Sequence, residues 1–296
     1  MKKLIYLLIF AVVLTSLCSE LPIQLPFPLP DLNTNAQGIS NIDSGSPDIF
    51  LNVESLSPEV KSERSIQFFF SIRNKQTYDL SDVKFEIYDR PCFDKSNSEE
   101  NFIRDCGILK PNASCTWSSR WTADKTESDK TCSIRFLLNY SARNLIYQDI
   151  VVLPESEYNQ REASGTLNSI PIQLTSAKGP LQVYLSFSEP QPFIADKTGY
   201  SMHVNYNNVG DGFFDNLEDK IIVSVPDNMD LSCEDYTGSQ TLTLNKDLKF
   251  IKGRAVSSVC NFNTPQLSTM SIRSLNMEIN YKYTLYDSFT ITVRGP

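Results

Sequence analysis

The chain is short of the residues that most catalytic and nucleic-acid-binding proteins need. It has one histidine in 296 residues, His203. A Ser-His-Asp or Cys-His nucleophile requires a base held in a pocket. His203 falls at an outward position of an alternating stretch, so histidine-based nucleophilic chemistry is set aside. No long basic run occurs and the formal charge is −8, which argues against nucleic acid as a partner. No Cys-x-x-Cys is present, and one histidine cannot complete a Cys/His metal site. Glycine is scarce at 11, against a glycine-rich filament protein. No stretch shows a helical period. What remains is 41% hydrophobic and 21% charged, with 17 Phe and 13 Tyr against 2 Trp, enough to build a packed core.

The amino terminus reads MKKLIYLLIFAVVLTSLC over residues 1–18. Lys2 and Lys3 precede a 14-residue run, Leu4 to Leu17, broken mildly by Thr15 and Ser16. That run fits a secretion signal and is short of the roughly 20 residues of a spanning helix. Its removal takes the formal charge from −8 to −10. LTSLC is similar to the signal in which a lipid is added to cysteine, although Leu17 stands where that pattern wants a small residue. Lipid attachment at Cys18 and ordinary cleavage after Cys18 or Ser19 both stay open. Residues 19–46 form a linker: LPIQLPFPLP favours an extended, polyproline-like spacer and DLNTNAQGISNIDSGSP is polar.

The rest is organised by a repeated pattern. In YSMHVNYNNVGDGFFDNLEDKIIVSVP, Tyr200, Met202, Val204 and Tyr206 alternate with polar residues; a glycine-containing loop and a second strand with Ile221, Val223 and Val225 follow. In IQFFFSIRNKQTYDLSDVKFEIYD, Ile66, Phe68, Phe70 and Ile72 alternate likewise, ahead of Val83, Phe85 and Ile87. A period of two marks strands with one buried face, and a two-stranded unit must bury that face against another sheet.

Around each copy a domain is expected, 47–154 and 179–296, joined by a polar linker, 155–178, in which Thr166–Leu174 either adds a strand or docks between the domains. The first domain's strands are placed at Ile49–Leu56, Ser65–Asn74, Val83–Tyr88, Ser114–Trp121, Thr131–Ser141 and Ile146–Leu153. Those of the second are placed at Leu181–Ser188, Gly199–Asn207, Lys220–Val225, Thr241–Leu244, Arg254–Phe262, Ile272–Thr284 and Ser288–Val293. The halves align by feature: FLLNYSARNLIYQDIVVL matches MEINYKYTLYDSFTITV around a shared Asn-Tyr, Asn139-Tyr140 and Asn280-Tyr281. Short strands at regular spacing predict an all-β sandwich in each half.

The strand order and the Asn-x-Gly of YNNVGDG resemble the cell-adhesion-related domains called CARDB. The first copy departs from that motif with RNKQTYD. The resemblance implies tandem immunoglobulin-like or fibronectin-type-III-like sandwiches, a place on an archaeal or bacterial surface, structural or adhesive roles and no catalytic residues.

Beyond Cys18, Cys92, Cys106, Cys115 and Cys132 lie in the first half, and Cys233 and Cys260 in the second. Even numbers in an exported chain read as disulfides. In an immunoglobulin-like sandwich Val83–Tyr88 runs antiparallel beside Thr131–Ser141, which puts Cys92 and Cys132 at one end of the sheet. Cys115 starts the preceding strand, about 20 Å from Cys132 if the strands oppose, whereas a bond needs Cα atoms within about 7 Å. Cys92–Cys132, Cys106–Cys115 across the turn GILKPNAS, and Cys233–Cys260 are the expected pairs.

Two N-glycosylation patterns occur, Asn112-Ala-Ser in a turn and Asn139-Tyr-Ser within a strand. The cluster Asp211, Asp215, Glu218 and Asp219 is read as a solvated acidic loop. Calcium ligation is its alternative, and a carboxylate pair in catalysis a further one. No catalytic residue, resident metal or cofactor is expected. The expected function is that of a non-enzymatic, exported envelope protein, extracellular or at the cell surface, anchored through Cys18 or an uncleaved signal segment or free, meeting other surface proteins or glycans. Two alternatives are a carbohydrate- or calcium-binding accessory module and a subunit of a surface filament or virion, which needs strand edges that pair between chains.

Overall fold

The computed structural model describes residues 48–93, 102–214, 221–224, 229–233, 236–238, 241–244 and 249–296, and the statements below concern these. They form an all-β body of three sheets. A three-stranded sheet orders β1 (Ile49–Ser55), β3 (Ser65–Asn74) and β6 (Ser114–Thr122). A five-stranded sheet orders β15 (Tyr236–Gly238), β14 (Leu231–Cys233), β17 (Arg254–Phe262), β11 (Tyr200–Asn208) and β9 (Leu181–Phe187). The third sheet has ten strands, and its main path is β16 (Thr241–Leu244), β13 (Ile221–Ser224), β18 (Ser271–Arg294), β7 (Lys130–Leu153), β4 (Leu80–Asp89) and β5 (Ile103–Leu109). Four short strands join its central pair: β2 (Glu59–Lys61) and β12 (Phe213–Phe214) on β18, β8 (Leu174–Ser176) and β10 (Phe193–Ile194) on β7.

The central pair corrects the sequence reading. The closing strands expected in two pieces, broken near Ser141–Leu145 and Leu285–Asp287, are single 24-residue strands, β7 and β18. They pair antiparallel from Ser271↔Val152 to Val293↔Lys130. β4 flanks the first half of β7 and β13 the first half of β18, with β5 and β16 beyond them, so the sheet reads alike from either edge. Asn139-Tyr140 and Asn280-Tyr281 are the tenth and eleventh residues of their strands. The sequence repeat is thus a pseudo-two-fold axis through the β7–β18 pair.

Each long strand serves both halves. Phe136 of β7 and Phe289 of β18 pack into the first half's aromatic core, with Phe289 5.4 Å from Phe68 and Phe136 5.2 Å from Phe85 between ring centroids. At the other end, the Asn144 side-chain amide of β7 donates to the Leu181 carbonyl and the Ala195 amide donates to that of Leu153 (2.8 Å). The inward residues of both strands belong to one buried core with those of the two smaller sheets. The described residues accordingly form one compact unit, and the spans expected as separate domains, 47–154 and 179–296, are halves joined through a shared sheet.

Two further corrections follow. The strands of each repeated pattern do not pair with each other: β3 and β11 lie in the small sheets, while β4 and β13 lie in the large one. And the 155–178 linker carries a helix, α1 (Glu155–Ala163), a 3-10 turn at Leu167–Ser169 and the strand β8. No residue of α1 is buried, so no apolar stripe betrays it; Glu155 and Glu157 in its first turn suit the helix dipole, and Glu157 pairs with Arg161 at 2.8 Å. Among the described residues no helix is long and apolar enough to cross a membrane.

Candidate functional site

The site begins with the turn that carries the chain from small sheet to large sheet, built twice on the same plan. Asn74 ends β3 and Asn208 ends β11. The Asn74 amide donates to the Tyr78 carbonyl (2.7 Å) and its Oδ1 accepts from the Gln76 amide (2.7 Å). The Asn208 amide donates to the Gly212 carbonyl (2.7 Å) and its Oδ1 accepts from the Gly210 amide (3.1 Å). The next amides, Lys75 and Val209, donate to the Asp48 and Pro180 carbonyls just ahead of β1 and β9. Short side chains such as Asn satisfy turn backbone that sheet ladders cannot reach.

The second copy adds two glycines, and they need to be glycine. A Cβ at Gly212 would meet the backbone carbonyl of Thr284, and one at Gly210 would lie 2.9 Å from Pro180 and against the Tyr283 hydroxyl. This close approach lets the Gly212 amide donate to Tyr283 Oη (2.8 Å), which donates to Asn208 Oδ1 (3.1 Å). Burial pushes the Tyr283 hydroxyl above the usual tyrosine range, so it stays protonated at neutral pH and keeps both roles. Tyr140, opposite Tyr283 on β7, donates to Asp48 Oδ1 (2.8 Å).

Pinned this way, β12 lies along β18 with Phe213 opposite Thr284 and Phe214 opposite Tyr283. Alternation then sends the two phenylalanines to opposite faces. Phe214 packs inward, 4.9 Å from Tyr283 and 4.6 Å from Phe250. Phe213 emerges on the outer face and stacks on Tyr286 at 4.7 Å, with 28° between the rings. Tyr286 in turn meets Tyr88 of β4 edge to face at 6.1 Å. Tyr88, Tyr286 and Phe213 are 45%, 46% and 50% exposed. Three aromatic rings, with Tyr286 touching the other two and each half open to solvent, form a row across the outer face of the large sheet, over Leu137 of β7, which pairs with Tyr286.

The rim of the row is polar. Lys84 faces Glu86 (3.9 Å) and Arg135 faces Asp89 (3.7 Å). Thr284 Oγ1 donates to Asn139 Oδ1 (2.6 Å), and Ser141 Oγ to Asp82 Oδ2 (2.9 Å). The row therefore crosses a band of satisfied polar side chains.

Other residues named from the sequence fall as follows. Disulfides join Cys92 to Cys132, Cys106 to Cys115 and Cys233 to Cys260. The middle one spans β5 and β6, edge strands of opposite sheets, and the last links directly opposed residues of β14 and β17. Cys106 lies within a strand, β5, beyond the strands that the alternating pattern predicts. Asn112 is exposed, at φ +60° in the turn before β6. Asn139 lies mid-strand on the outer face of β7, engaged by Thr284. Asp211 is exposed in the pinned loop, while Asp215, Glu218 and Asp219 lie outside the described residues, as does Cys18. Among the described residues no group of three or more His, Cys, Asp or Glu side chains is placed to hold a metal ion. His203 is half-buried on β11, between Val259 and Ser186 of the neighbouring strands.

The sequence did not single out the row. Its signal is aromatic residues at outward parity: Tyr88 follows the inward Val83, Phe85 and Ile87, Tyr286 follows the inward Leu285, and Phe213 opens a Phe-Phe doublet in which only one ring can face the core.

No known family model matches the chain, and no curated protein matches it. Among solved structures it is similar to Escherichia coli alpha-2-macroglobulin activated by porcine elastase, with 8% identity, 84% of this chain and 33% of that one covered, and a TM-score of 0.13. The chain spans about a third of that structure's length, and a similarity at that score carries no statement about fold or function.

Proposed function

We propose that this is an exported, non-enzymatic cell-envelope protein, whose two immunoglobulin-like halves display the outer face of their shared sheet for adhesion or assembly at an archaeal or bacterial surface. The observation that carries the reading is the exposed row Tyr88–Tyr286–Phe213. Large rings at a surface favour contact, because they lose solvent at small cost in side-chain freedom. Three disulfides suit an oxidising compartment. The half-buried strand position of His203 gives no support to nucleophilic catalysis. The signal-like residues 1–18 account for export, and the resemblance to surface modules agrees with the location.

Beads coated with the purified chain test the display reading: they should adhere to the producing cells or their envelope fraction, and Tyr286→Ala should abolish adhesion. Mass spectrometry of the mature chain should place its first residue between Cys18 and Glu20, and an added lipid mass on Cys18 would assign the anchor. Adhesion untouched by Tyr286→Ala would remove the row from the reading.

A further inference from the structure

We infer that the free edge of β9 pairs with the same edge of a second copy of this chain, antiparallel about a two-fold axis, so that two five-stranded sheets join into one. The inference concerns a different sheet from the aromatic row and does not depend on it.

The edge is open. β9 ends its sheet, and among the described residues nothing pairs with it on the side away from β11. The Ser188 amide donates to the Ser201 carbonyl (2.9 Å), which sets the phase of the ladder. Gln182, Tyr184 and Ser186 therefore carry the bonds to β11, and the backbone groups of Val183, Leu185 and Phe187 point the other way. The Leu181 carbonyl belongs to the same edge-facing series and is taken by the Asn144 side chain. The three residues that follow keep a row of N–H and C=O groups, which is a template for another strand.

The edge is also incompletely covered. Leu185 and Phe187 have inward parity and pack against the core, yet both are only half-buried. On β1, the matching strand of the first half, the inward Ile49, Leu51 and Val53 are 0%, 0% and 1% exposed. A strand laid beside β9 supplies cover that β1 does not need.

Charge and symmetry select the occupant. The chain carries −8, so two copies repel unless they meet where charge is absent. The other described edge strands of five residues or more all carry charge: Glu54 on β1, Arg104 and Asp105 on β5, Arg120 on β6. β9 carries none. A charged peptide gains no ion pair along this strand, whereas an uncharged copy of the strand loses nothing. The segment is also balanced about Leu185, with Pro180 and Pro190 each five residues away to end the pairing. Two-fold pairing sets Leu185 against Leu185 of the second copy and Val183 against its Phe187, which covers the half-buried side chains. On the outer side Tyr184 comes opposite Ser186 of the second copy. An edge that matches itself closes as a dimer and leaves no template for a third copy. The strand is seven residues long, about 23 Å, so the contact is small and belongs to the weak, concentration-dependent class.

The test is analytical ultracentrifugation of the full disulfide-bonded chain from about 1 μM to about 1 mM. The chain should pass from monomer to dimer with a Kd of about 0.1 mM. Tyr184→Lys replaces an exposed side chain and reduces the net charge from −8 to −7, which by itself would ease association. It should nonetheless weaken the dimer at least about tenfold, because the two lysines become diagonal neighbours about 7–8 Å apart beside the axis. Tyr147→Lys, the same change at an exposed tyrosine of β7, should leave the Kd unchanged. Leu185→Cys should form a covalent dimer on mild oxidation, since hydrogen-bonded opposite residues lie about 5.5 Å apart at Cα, within reach of a disulfide. Circular dichroism and non-reducing peptide maps should show each variant folded with its native disulfides.

A chain that stays monomeric throughout this range would overturn the inference. So would a dimer that Tyr184→Lys leaves intact, or one that Tyr147→Lys dissociates, which would put the contact on the large sheet. Growth past the dimer would show that the edge does not close on itself and would overturn the two-fold pairing, as would a dimer in which Leu185→Cys never cross-links.

Discussion

The two halves share one topology and secure it differently. In the first, Trp121 is fully buried and packs 4.3 Å from Phe68, with Phe93, Phe102 and Phe289 around it, and Trp117 stacks on Phe70 at 4.9 Å. A disulfide ties the edges of its two sheets together and another fastens the start of β7. In the second, the aromatic cluster is smaller, around Phe193, Tyr200 and Phe262. Its disulfide lies within one sheet, and the sheets are joined by packing and by hydrogen bonds such as Asn144 to the Leu181 carbonyl and Tyr283 to Asn208. The outer faces differ too. The sixteenth residue of β18 is Tyr286, the heart of the row, while that of β7 is Leu145, and β8 pairs with the residues just after it. The repeat thus kept the frame and let the surfaces diverge, and the elaborated surface is the one on the half with the more heavily fastened core.

The sharpest way to break the comparison is to separate the halves. Residues 47–154 alone lack the strand half that carries Phe289, Ile291 and Val293, all buried. That fragment should show no cooperative unfolding transition by circular dichroism, and covalent addition of residues 283–294 should restore one. A fragment that folds unaided would show two independent domains.

Within the whole chain, Trp121→Ala and Phe289→Ala should each cost about 3–5 kcal/mol in denaturant melts, since each removes a large ring from a dry core. Equal losses would establish that a residue of the last strand matters to the first half as much as the first half's own tryptophan does. Disulfide removal should follow loop length. Loss of Cys92–Cys132, which closes 40 residues, should cost about 4 kcal/mol, and loss of Cys106–Cys115, which closes 9, about 2.5 kcal/mol. A reversed order would mean that the sheet-to-sheet tie stabilises the folded state beyond its effect on the unfolded chain.

The smallest effect lies where β18 meets β2. Arg294 bridges Glu59 (2.8 Å from Nε) and Asp129, and its hydrogen bonds hold both carboxyls below their usual range. A lowered carboxylate pKa contributes stability that is complete above the ordinary value of about 4 and is lost as pH falls through the folded value. Arg294→Gln should therefore melt slightly below the parent at pH 7, and the two should converge in strong acid. All three groups are solvent-exposed, so the difference should also shrink in high salt.

Much of the frame was legible because alternation is a local signal. The bounds of β3, β16 and β17 agree to the residue with those drawn from the sequence. The long strands were not, because Ser141-Ala142-Arg143-Asn144 and Leu285-Tyr286-Asp287 look like turns, and 24 residues far exceed the usual strand of five or six. Asn144 is tolerated in mid-strand because its side chain reaches the Leu181 carbonyl, a partner no local pattern reveals. The repeated turn was half visible. Asn-x-Gly drew attention in the second copy, while the shared element is the asparagine itself, Asn74 and Asn208, whose hydrogen bonds are equivalent. Of the candidate site, the loop holding Phe213 stood out for its glycines, but the row needed the register of β4, β7, β18 and β12, which is tertiary information.

The exchange of strand halves also sets an order of events in time. As the chain is made, β1 to β7 emerge long before β18, whose partner positions on β7 lie more than a hundred residues behind it. Contacts so distant in sequence form late and slowly. Until they form, the first half presents Phe68, Phe70 and Trp121 without the strand that covers them, a state that invites association with neighbouring chains. The protein is built to remain unfinished until β18 is in hand, and it demands protection from neighbouring chains while it waits.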